Sequence, residues 1–142
     1  MQTNKKFRVA AVIENRYGEY LFIRENDDDY LILPGGEKEN NEDYMETCKR
    51  ELLEELGIHI NELVFLGLIE NFYILNNQKI EETLVIFKGY YHNQLTYHEN
   101  NIKREFFWIN IHSHAKHFKI KPRSIVNFLI QQKNYMAYRE DI

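Results

Sequence analysis

The sequence predicts a mixed α/β fold, and three observations carry that prediction. Short apolar runs rich in β-branched residues recur along the chain, a strongly patterned helical stretch runs from Asp43 to Leu56, and a second helical pattern follows Pro122. Strands outnumber helices while both are present, as expected for a sheet covered by helices. With 142 residues, one domain spanning residues 1–142 is expected around one core.

The elements follow in order. Phe7 to Ile13 is a buried strand by its apolar run. Arg16-Tyr17-Gly18-Glu19 is a turn and Tyr20 to Ile23 a second strand, so the two should form a hairpin. After the polar break Asn26 to Asp29, Tyr30 to Leu33 is a further short apolar run that Pro34-Gly35-Gly36 stops. The helix Asp43 to Leu56 should end at Gly57 as a left-handed cap. Leu63 to Leu75 and Thr83 to Tyr91 read as strands, with Asn76 to Lys79 between them as the turn of a second hairpin. Glu105 to Ile111 is another strand. Pro122 opens the last helix, with Ile125, Phe128 and Leu129 on its apolar side.

Composition excludes several classes of function. Hydrophobic residues at 44% and charged residues at 28% exclude a disordered chain. Eighteen basic against 22 acidic residues give a net charge of −4, so broad non-specific nucleic-acid binding is not expected. Cys48, the lone cysteine, can form no internal disulfide and no structural zinc site by itself, and it falls on the packed side of the first helix. No run of about 18 apolar residues is present, and the first residues lack the apolar stretch of a secretory signal. A cytoplasmic protein with no membrane partner is expected. His112, His114 and His117 are irregularly spaced in a loop with no cysteine beside them, which predicts exposed loop rather than zinc.

The informative segment runs from Gly36 to Leu56. At about 100° per residue, Glu51, Glu54 and Glu55 share an arc of roughly 100° on one helix face. Met45, Cys48, Leu52 and Leu56 form a neighbouring face that would pack on the core. Like charges at spacings of three and four repel by roughly 0.2–0.5 kcal/mol per pair. Arg50 offers partial relief, and a hard divalent cation such as Mg²⁺ would remove the repulsion. Pro34-Gly35-Gly36 allows a tight turn and a close backbone approach to a ligand or metal.

Gly36 to Ile58, GEKENNEDYMETCKRELLEELGI, resembles the Nudix box. That pattern is Gly, five residues, Glu, seven residues, Arg-Glu, an aliphatic, any residue, Glu-Glu, any residue, Gly, an aliphatic. Gly36, Glu42, Arg50-Glu51, Leu52, Glu54-Glu55, Gly57 and Ile58 match every specified position. Pro34-Gly35-Gly36, the apolar strand Tyr30 to Leu33 before it and the Trp108-containing strand after it are also similar to the family. Asn41, where many members carry Gly, and Thr47, where Ala is common, are departures outside the specified positions.

The resemblance implies an α/β/α sandwich with a mixed sheet between the box helix and the C-terminal helix. It implies a hydrolase that breaks the diphosphate bond of a nucleoside diphosphate linked to another moiety: a nucleoside triphosphate, a nucleotide sugar such as ADP-ribose, or a dinucleoside polyphosphate. Mg²⁺ or Mn²⁺ is the implied cofactor, held by Glu51, Glu54 and Glu55 with the backbone carbonyl of Gly35. Arg50 orients a neighbouring glutamate, and Glu42 ties the loop to the helix. The general base is Glu51 or Glu54 within the box, or Glu105 outside it; Glu82 and Glu99 are further candidates that read more as solvated carboxylates. Arg8 and Arg24, at the ends of the first two strands, are candidates for phosphate contact, Arg24 preferred. Arg24, Gly36 and Glu39 make the expected substrate-binding set. The expected partner is a small-molecule nucleotide, and homodimers are frequent in the family. The alternative is a non-catalytic Nudix-like domain that senses nucleotides or binds a partner; degenerate box glutamates would mark it, and here they are intact.

Overall fold

The computed structural model describes residues 2–96 and 101–140. Glu99 therefore lies outside the described residues. The strands are β1 (Thr3–Glu14), β2 (Tyr20–Glu25), β3 (Gly35–Glu37), β4 (Val64–Leu75), β5 (Gln78–Tyr90), β6 (Arg104–Ile109) and β7 (Tyr135–Arg139). The helices are α1 (Tyr44–Leu56) and α2 (Ser124–Ile130). One mixed sheet has the order β6-β2-β1-β5-β4-β7, with β3 paired to β1. β1 runs parallel to β5 from Thr3↔Lys79 to Glu14↔Tyr90, while β4 and β5 form an antiparallel hairpin.

Each face of the sheet carries one helix. Side chains alternate along a strand, so Val9, Ala11 and Ile13 of β1 join Cys48, Leu52 and Leu56 of α1 in one core layer. Ala10 and Val12 join Ile125, Phe128 and Leu129 of α2 in the other. Burial on both faces explains why the middle of β1 is a continuous apolar run. The mixed α/β class and the layered arrangement agree with the expectation from sequence.

α1 is closed at both ends by its own sequence. Asp43 Oδ1 accepts from the Glu46 N–H at 2.7 Å, and Glu46 Oε1 accepts from the Asp43 N–H at 3.0 Å, a reciprocal capping box. Gly57 at φ 67° donates its N–H to the Leu53 carbonyl. The β4–β5 turn is tight because Asn76 and Asn77 both adopt positive φ, 50° and 61°, which suits a two-residue hairpin.

Three expectations are corrected. Tyr30 to Leu33 is not a strand: it makes isolated bridges, Ile23↔Ile32 and Leu31↔Ile120. Its apolarity comes from burial, Leu31 and Leu33 on the α2 side and Ile32 on the α1 side. β5 starts at Gln78 rather than Thr83, because the hairpin ladder carries charged residues out to Leu75↔Gln78. β7 was not expected; it pairs in parallel with β4 from Leu68↔Tyr135 to Phe72↔Arg139.

Candidate active site

Arg50 organises one half of the box. Its Nε and Nη2 reach both oxygens of Glu42 at 2.7 and 3.1 Å, and Nη2 also donates to the Glu37 carbonyl at 3.1 Å. Nη1 donates to Glu51 at 3.0 Å and to Glu54 at 3.3 Å. The guanidinium beside Glu42 pushes that carboxyl down to about 2, helped by the Glu39 N–H and the Thr47 hydroxyl. Thr47 donates to Glu42 at 2.9 Å and to the Asp43 carbonyl at 3.1 Å, so the hydroxyl at this position adds a clasp that alanine would lack. Asn41 stands at φ 71°, a left-handed position where asparagine is the side chain best tolerated after glycine. Both departures from the usual pattern thus fit the loop.

Glu55 occupies the other half and is only 4% exposed. Its Oε1 accepts from the Gly35 N–H at 2.8 Å, and its Oε2 lies 3.9 Å from Arg104 Nη2. Burial pushes its carboxyl up to about 8; the Gly35 N–H opposes this, Glu51 adds to it, and Arg104 opposes it. Burial also raises Glu51 above its ordinary range, against the pull of Arg50. The backbone passes close to these groups. A side chain at Gly36 would strike the Glu51 carboxylate, and one at Gly35 would strike the Val9 carbonyl.

The sequence matches the family model described as the NUDIX domain over residues 4–128. The chain belongs to the Nudix family. It is a Nudix hydrolase, of a family that hydrolyses nucleoside diphosphate derivatives and generally uses divalent metal cations. The fold is shared with a MutT protein from Methanosarcina mazei (23% identity, TM-score 0.72, covering 93% of this chain and 95% of that one). It is shared with a MutT protein from Bacillus halodurans (19% identity, TM-score 0.71, 94% and 86%) and a Nudix hydrolase from Nitrosomonas europaea (22%, TM-score 0.64, 91% and 88%). No curated protein matches the chain by sequence.

Within this Nudix site the candidates sort by sheet face. Gly36 is buried against Glu51, and Gly35 meets Glu55 through its N–H. Glu39 is exposed, 3.7 Å from Arg50, and its N–H donates to Glu42. Arg24 and Glu105 do not join them. They face each other across β2 and β6 on the α2 side, bonded through Nε at 3.1 Å and Nη2 at 2.8 Å, with Arg24 also over the Phe107 ring. Their alternation partners, Glu25 and Arg104, lie on the α1 side instead. Arg104 Nε donates to Glu25 at 2.8 Å while its Nη2 faces Glu55. Sequence reasoning missed this pair by one residue. Tyr20 to Ile23 is apolar at every position, so no alternation in β2 marked which face each residue takes.

A divalent cation of this kind asks for hard oxygen donors. The donors are hard carboxylate oxygens, and burial away from water raises the Glu55 carboxyl, which a bound cation would counter. Among the described residues no three His, Cys, Asp or Glu side chains are gathered at metal-holding distance. The reason is visible in Arg50, which draws Glu51 and Glu54 to itself while Glu55 turns to Gly35. The chemistry of the residues fits such an ion. Among the described residues, no helix is long and apolar enough to cross a membrane.

Proposed function

We propose that this chain hydrolyses the diphosphate bond of a nucleoside diphosphate linked to another moiety, with the α1 carboxylates as its catalytic centre. The observation that carries this reading is the contrast within the complete box: Arg50 fixes Glu42, Glu51 and Glu54, while Glu55 is buried beside Gly35 with its carboxyl raised to about 8. Glu51, Glu54 and Glu55 would hold Mg²⁺ or Mn²⁺ together with the Gly35 carbonyl. Such a cation, when bound, neutralises phosphate oxygens and makes water a better nucleophile.

Arg50 positions Glu51 and Glu54 from the same Nη1, so the two carboxylates share one orientation device. A box carboxylate takes the proton of the attacking water; Glu54, 47% exposed, faces solvent. Cys48 does not serve as a nucleophile, because burial pushes its thiol up to about 12. Arg24 and Glu105 act as a clasp between β2 and β6. We place the enzyme in the cytoplasm, consistent with its lone buried thiol.

Hydrolysis of a nucleotide panel in ¹⁸O-labelled water tests the reaction class, covering nucleoside triphosphates, ADP-ribose and dinucleoside polyphosphates. The expected result is label on one phosphate product, with no covalent enzyme intermediate. Label on a carbon atom, or no hydrolysis of any panel member with Mg²⁺ or Mn²⁺, contradicts it.

A further inference from the structure

β7 ends the sheet, and its outer side meets no strand among the described residues. The Asn134 carbonyl accepts from the Leu68 N–H, and the Glu140 N–H donates to the Phe72 carbonyl. Even-numbered residues of this segment therefore turn their backbone groups to β4. Tyr135, Ala137 and Arg139 point their N–H and C=O groups outwards, in the row to which a further strand can add.

The usual guards of such an edge are missing. β7 holds no proline and no lysine, and its register with β4 runs without a bulge from Leu68↔Tyr135 to Phe72↔Arg139. Met136 packs with the α2 layer, so Tyr135, Ala137 and Arg139 take the other face. There the one charged side chain of β7, Arg139, is drawn back over the Phe72 ring, 4.0 Å from its centroid. Tyr135 is drawn back too, its hydroxyl donating to Glu70 at 2.7 Å. Both side chains lean towards β4 and leave the outer backbone open.

The sequence of β7, Tyr-Met-Ala-Tyr-Arg, complements itself when reversed. A second copy related by a two-fold axis must place an outward-facing residue on that axis. With Ala137 there, every residue of β7 is paired. Tyr135 lies opposite the partner's Arg139, a cation–aromatic pair, and Met136 lies opposite the partner's Tyr138, a sulfur–aromatic pair. The small Ala137 meets its own copy at the axis. With Arg139 on the axis, two guanidinium groups would face each other. With Tyr135 on it, Arg139 would run past the end of the partner's strand.

We propose that β7 is the interface of a homodimer, in which two copies pair antiparallel through their β7 edges with Ala137 on the two-fold axis. Tyr135, Ala137 and Arg139 then satisfy both backbone groups on the partner, and the two sheets run on as one. The interface is at the opposite end of the strand order from β2 and β6, whose Glu25–Arg104 pair adjoins Glu55, so the box stays open. The proposal stands apart from the hydrolase reading.

Sedimentation velocity of the full chain over a range of concentrations tests it. The wild type should pass from monomer to dimer as concentration rises. Ala137→Pro removes the N–H that crosses the axis and none that bonds β4. The fold should therefore hold while the dimer dissociation constant rises roughly 10-fold or more. Ala137→Lys and Ala137→Glu, at an exposed position, should each dissociate the dimer by setting like charges face to face, and mixing the two should restore it. Circular dichroism checks the fold of each variant; should Ala137→Pro unfold, the charge pair decides. Ala137→Cys should join two chains under oxidised glutathione, since directly opposed residues of such a pair stand about 5.5 Å apart and Cys48 is buried. A wild type that stays monomeric at every concentration overturns the proposal. So does a dimer that Ala137→Lys leaves intact, or a mixture of Ala137→Lys and Ala137→Glu no more associated than either alone.

Discussion

Glu42 and Glu55 are both carboxylates of the same box, and they hold protons in opposite ways. Arg50 pulls Glu42 down to about 2 with two hydrogen bonds, whereas burial lifts Glu55 to about 8. Burial lifts the one and a direct guanidinium contact lowers the other. The Arg104 guanidinium stays 3.9 Å from Glu55, while Arg50 touches Glu42 at 2.7 Å. One half of the box is therefore a finished ionic scaffold, and the other half is a buried acid that a cation would complete. Pairs of carboxylates with divided proton affinity commonly divide their chemical roles as well.

The largest way to break this comparison is Glu55→Gln. The amide can still accept from the Gly35 N–H, so the fold should persist, but it is a poor ligand for a hard cation. Turnover should fall at least roughly 100-fold at saturating Mg²⁺, measured by product release. The metal-free variant should also be more stable than the wild type at neutral pH, by on the order of 1–3 kcal/mol in chemical denaturation. Unchanged turnover would remove Glu55 from the site.

Arg50→Met attacks the other half. It leaves Glu42, Glu51 and Glu54 without their shared partner, which should cost about 2–3 kcal/mol of stability in urea unfolding. Arg50→Lys should recover only part, since an ammonium cannot serve Glu42, Glu51 and the Glu37 carbonyl together. Full recovery by lysine would show that charge alone, and not the guanidinium fork, holds the cluster.

The two carboxylates also predict a stability profile with two limbs in the metal-free protein. Glu55 has a folded pKa of about 8 against an ordinary 4.5. Its contribution is present below pH 4.5 and is lost as pH rises through 8. Glu42 has a folded pKa of about 2 against the same 4.5, so its contribution is present above 4.5 and lost as pH falls through 2. Thermal melts across this range should show both limbs, and Glu55→Gln should remove the alkaline one. The smallest effect belongs to Glu105→Gln. That residue pairs with Arg24 in a partly solvated pair on the α2 face, so the melt should move little and turnover should hold. A large loss of turnover would return Glu105 to the catalytic set.

Much of the site was legible because its elements are encoded locally. The spacing of Cys48, Leu52 and Leu56 named the packed face of α1, the glycine at 57 named its end, and the glutamate spacing named the exposed side. What was not legible depends on pairing across the sheet. The assignment of Arg104 to Glu25 and Glu55 follows from which way β2 and β6 face, and an all-apolar Tyr20 to Ile23 hides that phase. β7 was missed because an edge strand is exposed on alternate residues and carries no apolar run. The Ser124–Asn71–Glu82 chain, on the α2 face with Arg8, joins residues far apart in sequence, and no local pattern marks it.

The central claim is that Glu55 is a buried acid awaiting a cation. Thermal melts with and without Mn²⁺, for wild type and Glu55→Gln at pH values on either side of 8, test it most directly. Binding a cation to Glu55 requires its proton to leave, so the rise in Tm of the wild type should grow as pH crosses 8. In Glu55→Gln that rise should be smaller and should not depend on pH across the same interval. Equal rises in both proteins at both pH values would contradict the account.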